Sequence, residues 1–319
     1  MEEVSQTVLL AKFSFLSSEV NYKSVAGDKR QQRGKYSHPK METTMQSNIR
    51  TKYIFKAILF CVVFTGLFVA FSFTKNFLPN NLERLAHGII GMLAAFLTTV
   101  LFLKFDRKRF SDIGLTFKQN TVAKFFAGVI AGVIIMGLLV TTVLYLSKAT
   151  VEVNPGSSVW HFLLVTLPLF PLAYMEELGF RAYPLEILKD KIGIRLSIII
   201  TSILFALYHI ANGWTIANSF LGPAVWGLVF GLAAIYSKGI AMSTGIHYAA
   251  NLTTSAFGAT NSTVSIWVIK QTNTPATKYA GTDWVTILPA LALLVFAILC
   301  IELYMRRKLP LALHWEKQG

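Results

Sequence analysis

Leu169-Phe170-Pro171-Leu172-Ala173-Tyr174-Met175-Glu176-Glu177-Leu178-Gly179-Phe180-Arg181 ends a long apolar run with two adjacent carboxylates and an arginine. Burying a charge in hydrocarbon costs about 2.5–3.5 kcal/mol even on translocon-insertion scales, so such groups persist where they are paired, wetted or useful. On a helix Glu177 and Arg181 stand four residues apart, with the carboxylate on the N-terminal side, the favourable order for an ion pair. Glu176 is turned about 100° away from that pair. The spacing therefore predicts a structural Glu177–Arg181 pair and leaves Glu176 without that partner and free for chemistry.

The rest of the chain sets the environment of this stretch. Of 319 residues, 54% are hydrophobic and 14% charged, the composition of an all-α, polytopic transmembrane helix bundle. Eight apolar runs are spaced along it, at about 57–73, 85–103, 122–146, 159–174, 196–210, 217–236, 240–256 and 284–304. About eight spans are expected. The net charge of +14 sits in short connections and tails, so anionic lipid headgroups are the expected counter-charge. There is no basic stripe with interleaved aromatics, and nucleic acid is excluded as a partner. Cys61 and Cys300 lie inside apolar runs without zinc-site or redox spacing, and read as small buried hydrophobes.

Bases are uneven between loops. Lys104, Arg107, Lys108, Arg109, Lys118 and Lys124 follow the second run. Lys189, Lys191 and Arg195 follow the fourth, Lys238 the sixth, and Arg306, Arg307 and Lys308 the eighth. The alternate loops hold scattered bases only, so the positive-inside rule puts both termini in the cytosol. Residues 1–50 read as a disordered cytosolic tail, with Met41 and Met45 as alternative starts. Residues 51–308 read as the bundle and 309–319 as a second cytosolic tail. Gly258 to Asp283 reads as an extracytoplasmic loop. Gly128-x3-Gly132 and Gly227-x3-Gly231 permit close helix approach.

Two further patterns stand in the apolar territory between Arg195 and Lys270. Phe205-x3-His209 puts an aromatic ring and an imidazole on one helix face, and His247-x3-Asn251 pairs an imidazole with an amide in the same way. With Glu176, three helices then carry polar groups that lipid cannot accept, so they are expected to converge in the bundle interior. A carboxylate and an imidazole around one water can direct it at a carbonyl, while a second imidazole and an amide hold the oxyanion. The same Glu176, His209 and His247 can instead ligate a zinc ion with water in the open position. Both chemistries are hydrolytic, and the spacing alone does not choose between them. The bland alternative is that His209, His247 and Asn251 only make interhelical hydrogen bonds, worth about 0.6 kcal/mol each in membranes.

The three motifs, Glu176-Glu177-x3-Arg181, Phe205-x3-His209 and His247-x3-Asn251, resemble in kind and order those of the CAAX-protease and bacteriocin-processing family of intramembrane proteases, the type II CAAX prenyl endopeptidase-like or Abi proteins. Phe230-Gly231-Leu232 fits as well, and the likeness spans about residues 85–255. Ala182 departs from it, standing where the family commonly has glycine. The resemblance implies that Glu176 is the general base, with His209 assisting, and that His247 and Asn251 hold the oxyanion. It leaves Glu177 and Arg181 an architectural pair, and a metal-dependent or a glutamate-type mechanism both admissible.

The implied substrate is a peptide or small protein, lipidated or a bacteriocin precursor, in a bacterial plasma membrane. Two other readings stand beside the protease. One is a non-catalytic scaffold or bacteriocin immunity protein of the same fold, and the other is a proton-coupled transporter.

Overall fold

A computed structural model describes residues 39–79, 82–258, 264–271 and 284–315. The chain divides between Thr43 and Thr44, and the bundle discussed below belongs to the second unit. Its helices are α1 (Pro39–Ser72), α2 (Glu83–Asp106), α3 (Thr121–Ser147), α4 (Val159–Thr166), α5 (Leu169–Glu177), α6 (Tyr183–Ile192), α7 (Ile194–Ala211), α8 (Ile216–Ser219), α9 (Val225–Ser237), α10 (Ala241–Ala256) and α11 (Trp284–Trp315). The all-α membrane bundle is the observed architecture. Seven described segments are long and apolar enough to cross a membrane: 47–77, 85–106, 121–147, 159–192, 194–211, 216–237 and 287–308.

The remaining apolar run is α10. Its 16 residues reach about 24 Å at 1.5 Å per residue, short of a hydrocarbon core of about 30 Å. It sits inside the bundle against α3, α5 and α9. Protein rather than lipid surrounds it, which lets a segment rich in Ser, Thr, His and Asn be a bundle helix. The α3–α10 contact is made by backbone. A Cβ on Gly128 would collide with the Met242 carbonyl, one on Gly245 with the Phe125 carbonyl, and one on Gly132 would lie 2.7 Å from the Ala249 Cβ. Small residues at both partners bring α10 this close, and that depth places His247.

Helix boundaries depart from expectation at both ends. Residues 39–50 lie in α1 rather than in a tail, with Pro39 at the first helical position, where its missing N–H costs nothing. Residues 309–315 extend α11. The rest of the expected tails, 1–38 and 316–319, falls outside the described residues. Part of the expected 258–283 loop is a strand, β2 (Trp267–Gln271), paired antiparallel with β1 (Ala149–Val153). A Lys270–Glu152 ion pair and a bond from Asn154 Nδ2 to Ser265 O (2.9 Å) hold this ribbon.

The fourth run breaks after α4, turns at Leu167–Pro168, continues as α5, and passes through a π turn, Leu178–Ala182, into α6. A second π turn, Phe220–Ala224, joins α8 to α9. A π turn adds a residue to the helical circuit and re-aims the helix beyond it, and such turns gather at functional sites. Every residue of the first is buried, Arg181 among them.

Behind it lies an aromatic seam from α1. Phe60 stacks on Tyr183 (4.9 Å), and Phe64 meets Phe180 (5.9 Å) and Tyr208 (6.0 Å). Asp106 knots α1, α2 and α6 together, pairing with Lys56 and accepting from the Tyr183 hydroxyl (2.6 Å). Outside the spans, Asp112 caps the turn after α2. It accepts from the Arg109 N–H at 2.8 Å, which holds its carboxyl below the usual range.

Candidate active site

Glu177 and Arg181 meet as the helical spacing predicts, but the pair is incomplete. Arg181 Nη1 lies 3.5 Å from Glu177 Oε1, both side chains have no exposed surface, and no guanidinium nitrogen makes a hydrogen bond. Aromatic faces take the place of acceptors. The Arg181 guanidinium carbon sits 4.2 Å from the Phe205 ring centre and 5.4 Å from that of Phe230, and desolvated cation–π contacts of this kind are worth about 2 kcal/mol. Gly227 makes the room, since a Cβ there would lie 3.0 Å from Arg181 Nη2 and 2.9 Å from Ser202.

His247 joins both carboxylates. Its Nδ1 lies 3.0 Å from Glu177 Oε1 and its Nε2 3.4 Å from Glu176 Oε2, while Phe230 stacks on the ring at 4.5 Å and 16°. Glu176, turned away from the arginine, faces an imidazole instead. Glu177 also does more than pair with Arg181, because its Oε1 holds the imidazole that faces Glu176. A ring nitrogen fixed by a buried carboxylate sets the tautomer and aim of the other. The two glutamates differ in access: the Glu176 side chain is 15% exposed and that of Glu177 is sealed.

His209 stands beside this cluster rather than in it. Its Nδ1 lies 2.9 Å from the Phe205 carbonyl, and a carbonyl only accepts, so Nδ1 carries the proton and Nε2 presents a lone pair when the ring is neutral. Phe205 is the element between the two imidazoles, with ring centres 4.6 Å from His209 and 6.1 Å from His247. His209 makes no hydrogen bond or ion pair with Glu176 in this structure, so its expected assistance is not a direct contact. Asn251 lies one turn beyond His247 on α10, half-buried, and is not hydrogen-bonded to the cluster.

The expected zinc set is Glu176, His209 and His247, of which Glu176 and His247 are in contact here. Among the described residues no three His, Cys, Asp or Glu side chains form a group that could hold a metal, and both nitrogens of His247 face carboxylates.

Fold and site together define an α-helical integral membrane protein with a cluster of titratable groups in its interior. Residues 156–253 match the Rce1-like family, type II CAAX prenyl endopeptidase Rce1-like. The matched stretch runs from ahead of α4 into α10, so it holds all seven motif residues and leaves α1, α2, α3 and α11 outside. At family level the match is to CAAX-protease-like intramembrane endopeptidases, which hydrolyse peptide bonds. No curated protein matches the chain.

Phe230 and Gly227 were missed as site residues. Phe230 carried a weak signal, as part of Phe230-Gly231-Leu232, and Gly227 opened the small-residue spacing. Neither pattern says that the residues enclose an arginine.

Proposed function

We propose that the protein is an intramembrane endopeptidase in which Glu176 activates the attacking water. The observation that carries this reading is the asymmetry between the neighbouring carboxylates. Glu176 keeps some exposed surface and faces His247 Nε2, whereas Glu177 is closed off and orients His247. Glu176 takes a proton from water, and the oxygen bonds to the carbonyl carbon of the scissile peptide. The carbonyl π electrons move to its oxygen as an oxyanion, which the Asn251 amide stabilises as a donor, joined by His247 Nε2–H when that ring carries a second proton. Collapse breaks the C–N bond, and the proton held by Glu176 passes to the leaving amine.

His209, with Nε2 bare, contributes by accepting a hydrogen bond from the water or the substrate. Two carboxylates against one guanidinium leave the cluster with one negative charge when His247 is neutral, so one added proton neutralises it.

The base-rich connections assign the cytosolic leaflet to the end carrying Lys118, Lys189 and Lys238. A lipidated C-terminal peptide or a bacteriocin precursor in a bacterial plasma membrane fits the setting.

The test is cleavage of a peptide library co-reconstituted in proteoliposomes, read by mass spectrometry. Glu176→Gln should lower cleavage about 10²–10⁴-fold, and His209→Ala should also lower it. Cutting that survives both substitutions defeats the mechanism, and a chelator arm decides whether a metal shares the site.

A further inference from the structure

A groove of about 970 Å³ opens where α3 begins, bounded by α5, the end of α9 and the start of α10. Its wall is aromatic, with Phe96, Phe110, Phe125 and Phe170 among the lining rings, and one rim carries Lys118, Lys124 and Lys238. Lys118 and Lys238 are exposed, and Lys124 spends one proton on Ser237 O (2.7 Å). Among the described residues none of the three lysines is in an ion pair with a carboxylate. The first turn of α3 has no side-chain cap, and its positive dipole end lies beside the lining residues Asn120 and Thr121.

Thr244 supplies an independent sign of a ligand. It lines the groove and is 2% exposed, and its hydroxyl has no hydrogen-bond partner. Other buried helical threonines in this molecule return theirs to the carbonyl four residues back, as Thr98, Thr99 and Thr166 do. A buried hydroxyl left unpaired is costly unless something else satisfies it.

We propose that this groove holds one anionic phospholipid of the base-rich leaflet. Its phosphate sits against Lys118, Lys124 and Lys238, its glycerol-ester oxygens reach Thr244, and an acyl chain lies over the phenylalanines. Charge complementarity selects this occupant, because three lysines that meet no carboxylate among the described residues, on an apolar channel, match an anionic head on a hydrocarbon chain. The channel also touches Tyr174 and Leu178, which flank Glu176 and Glu177, so the lipid forms part of the wall beside the site.

The experiment is native mass spectrometry of the full-length protein, released from nanodiscs of phosphatidylcholine containing a minor fraction of phosphatidylglycerol. Wild type should retain one phosphatidylglycerol in preference to phosphatidylcholine. Lys118→Gln with Lys238→Gln, both at exposed positions, should weaken that retention about tenfold or more. Thr244→Val should weaken it less, with an unchanged thermal transition. Equal retention of the two lipids, or undiminished preference in the double variant, overturns the proposal. So does one-for-one displacement by a farnesylated peptide, which assigns the groove to substrate, or by glycerol phosphate, which reduces it to an anion pocket. Lipid retention is read without any cleavage, so the result stands apart from the protease reading.

Discussion

Two arginine–glutamate pairs in this bundle invert the usual link between geometry and importance. Arg195 and Glu302 join α7 to α11 in a bidentate contact, Nε to Oε1 at 2.6 Å and Nη2 to Oε2 at 2.7 Å, with side chains 46% and 41% exposed. Arg181 and Glu177 touch once at 3.5 Å, without a hydrogen bond and without exposed surface. By geometry the first is the better pair. By consequence it is the lesser, because water or headgroups replace either partner there, whereas inside the bundle nothing does.

The sharpest way to break this contrast is to remove one buried partner. Arg181→Met leaves two carboxylates against one imidazole in a sealed site, and loss of one member of a buried pair typically costs about 3–5 kcal/mol. The expected outcome is loss of folded protein, or a thermal transition lowered by many degrees in detergent. Glu177→Gln keeps the shape and should cost less stability, yet it frees His247 Nδ1 from its charge partner. Near-wild-type stability of Arg181→Met would show that the aromatic cage, not the charge, holds this region together.

A smaller effect tests whether the cage has spare room. Gly227→Ala places a methyl 3.0 Å from Arg181 Nη2 and 2.9 Å from the Ser202 side chain, and overpacking of this kind costs about 1–3 kcal/mol. If the guanidinium is displaced toward Glu177, cleavage should fall together with stability. Glu176→Gln should separate the two readouts, abolishing cleavage while the thermal transition stays within a degree or two. A large stability loss in that variant would mean that Glu176 is a structural ligand of His247 and not the base.

These contrasts also mark what a reader of the sequence can see. The Glu177–Arg181 pair was visible because a helix puts residues four apart on one face, and that rule survived a π turn beginning at Leu178. The inward convergence of Glu176 and His247 was visible because lipid rejects such groups, whatever the fold. What escaped was long-range. Nothing local says that His247 bridges both carboxylates, that Phe205 and Phe230 enclose a guanidinium, or that Phe60 and Phe64 of α1 back the π turn. The first depends on how deeply α10 inserts, which glycines on α3 and α10 set through backbone contact, and the others on how α7, α9 and α1 pack around the π turn. The β1–β2 ribbon was hidden for a similar reason, since its strands lie in separate loops and neither is stable alone. His209 was visible as an inward polar group, but its partner is the Phe205 carbonyl, and no sequence pattern reports a backbone acceptor.

The weakest perturbation bears on the exposed pair. Glu302→Gln removes a bidentate contact of better geometry than the buried one, and exposed ion pairs are worth about 0–1 kcal/mol. Arg195 opens α7 next to Ile194, and Glu302 lies one turn before Arg306, so both ends of the contact belong at headgroup depth rather than in hydrocarbon. The expected shift of the thermal transition is small, shrinking further in high salt as exposed charges are screened. A loss above about 2 kcal/mol that salt does not diminish would place the pair inside the hydrocarbon. The contrast with Glu177–Arg181 would then be one of partners rather than of solvent: Arg195 meets both oxygens of its carboxylate, whereas Arg181 shares the single oxygen Oε1 of Glu177 with His247 and leans on aromatic rings.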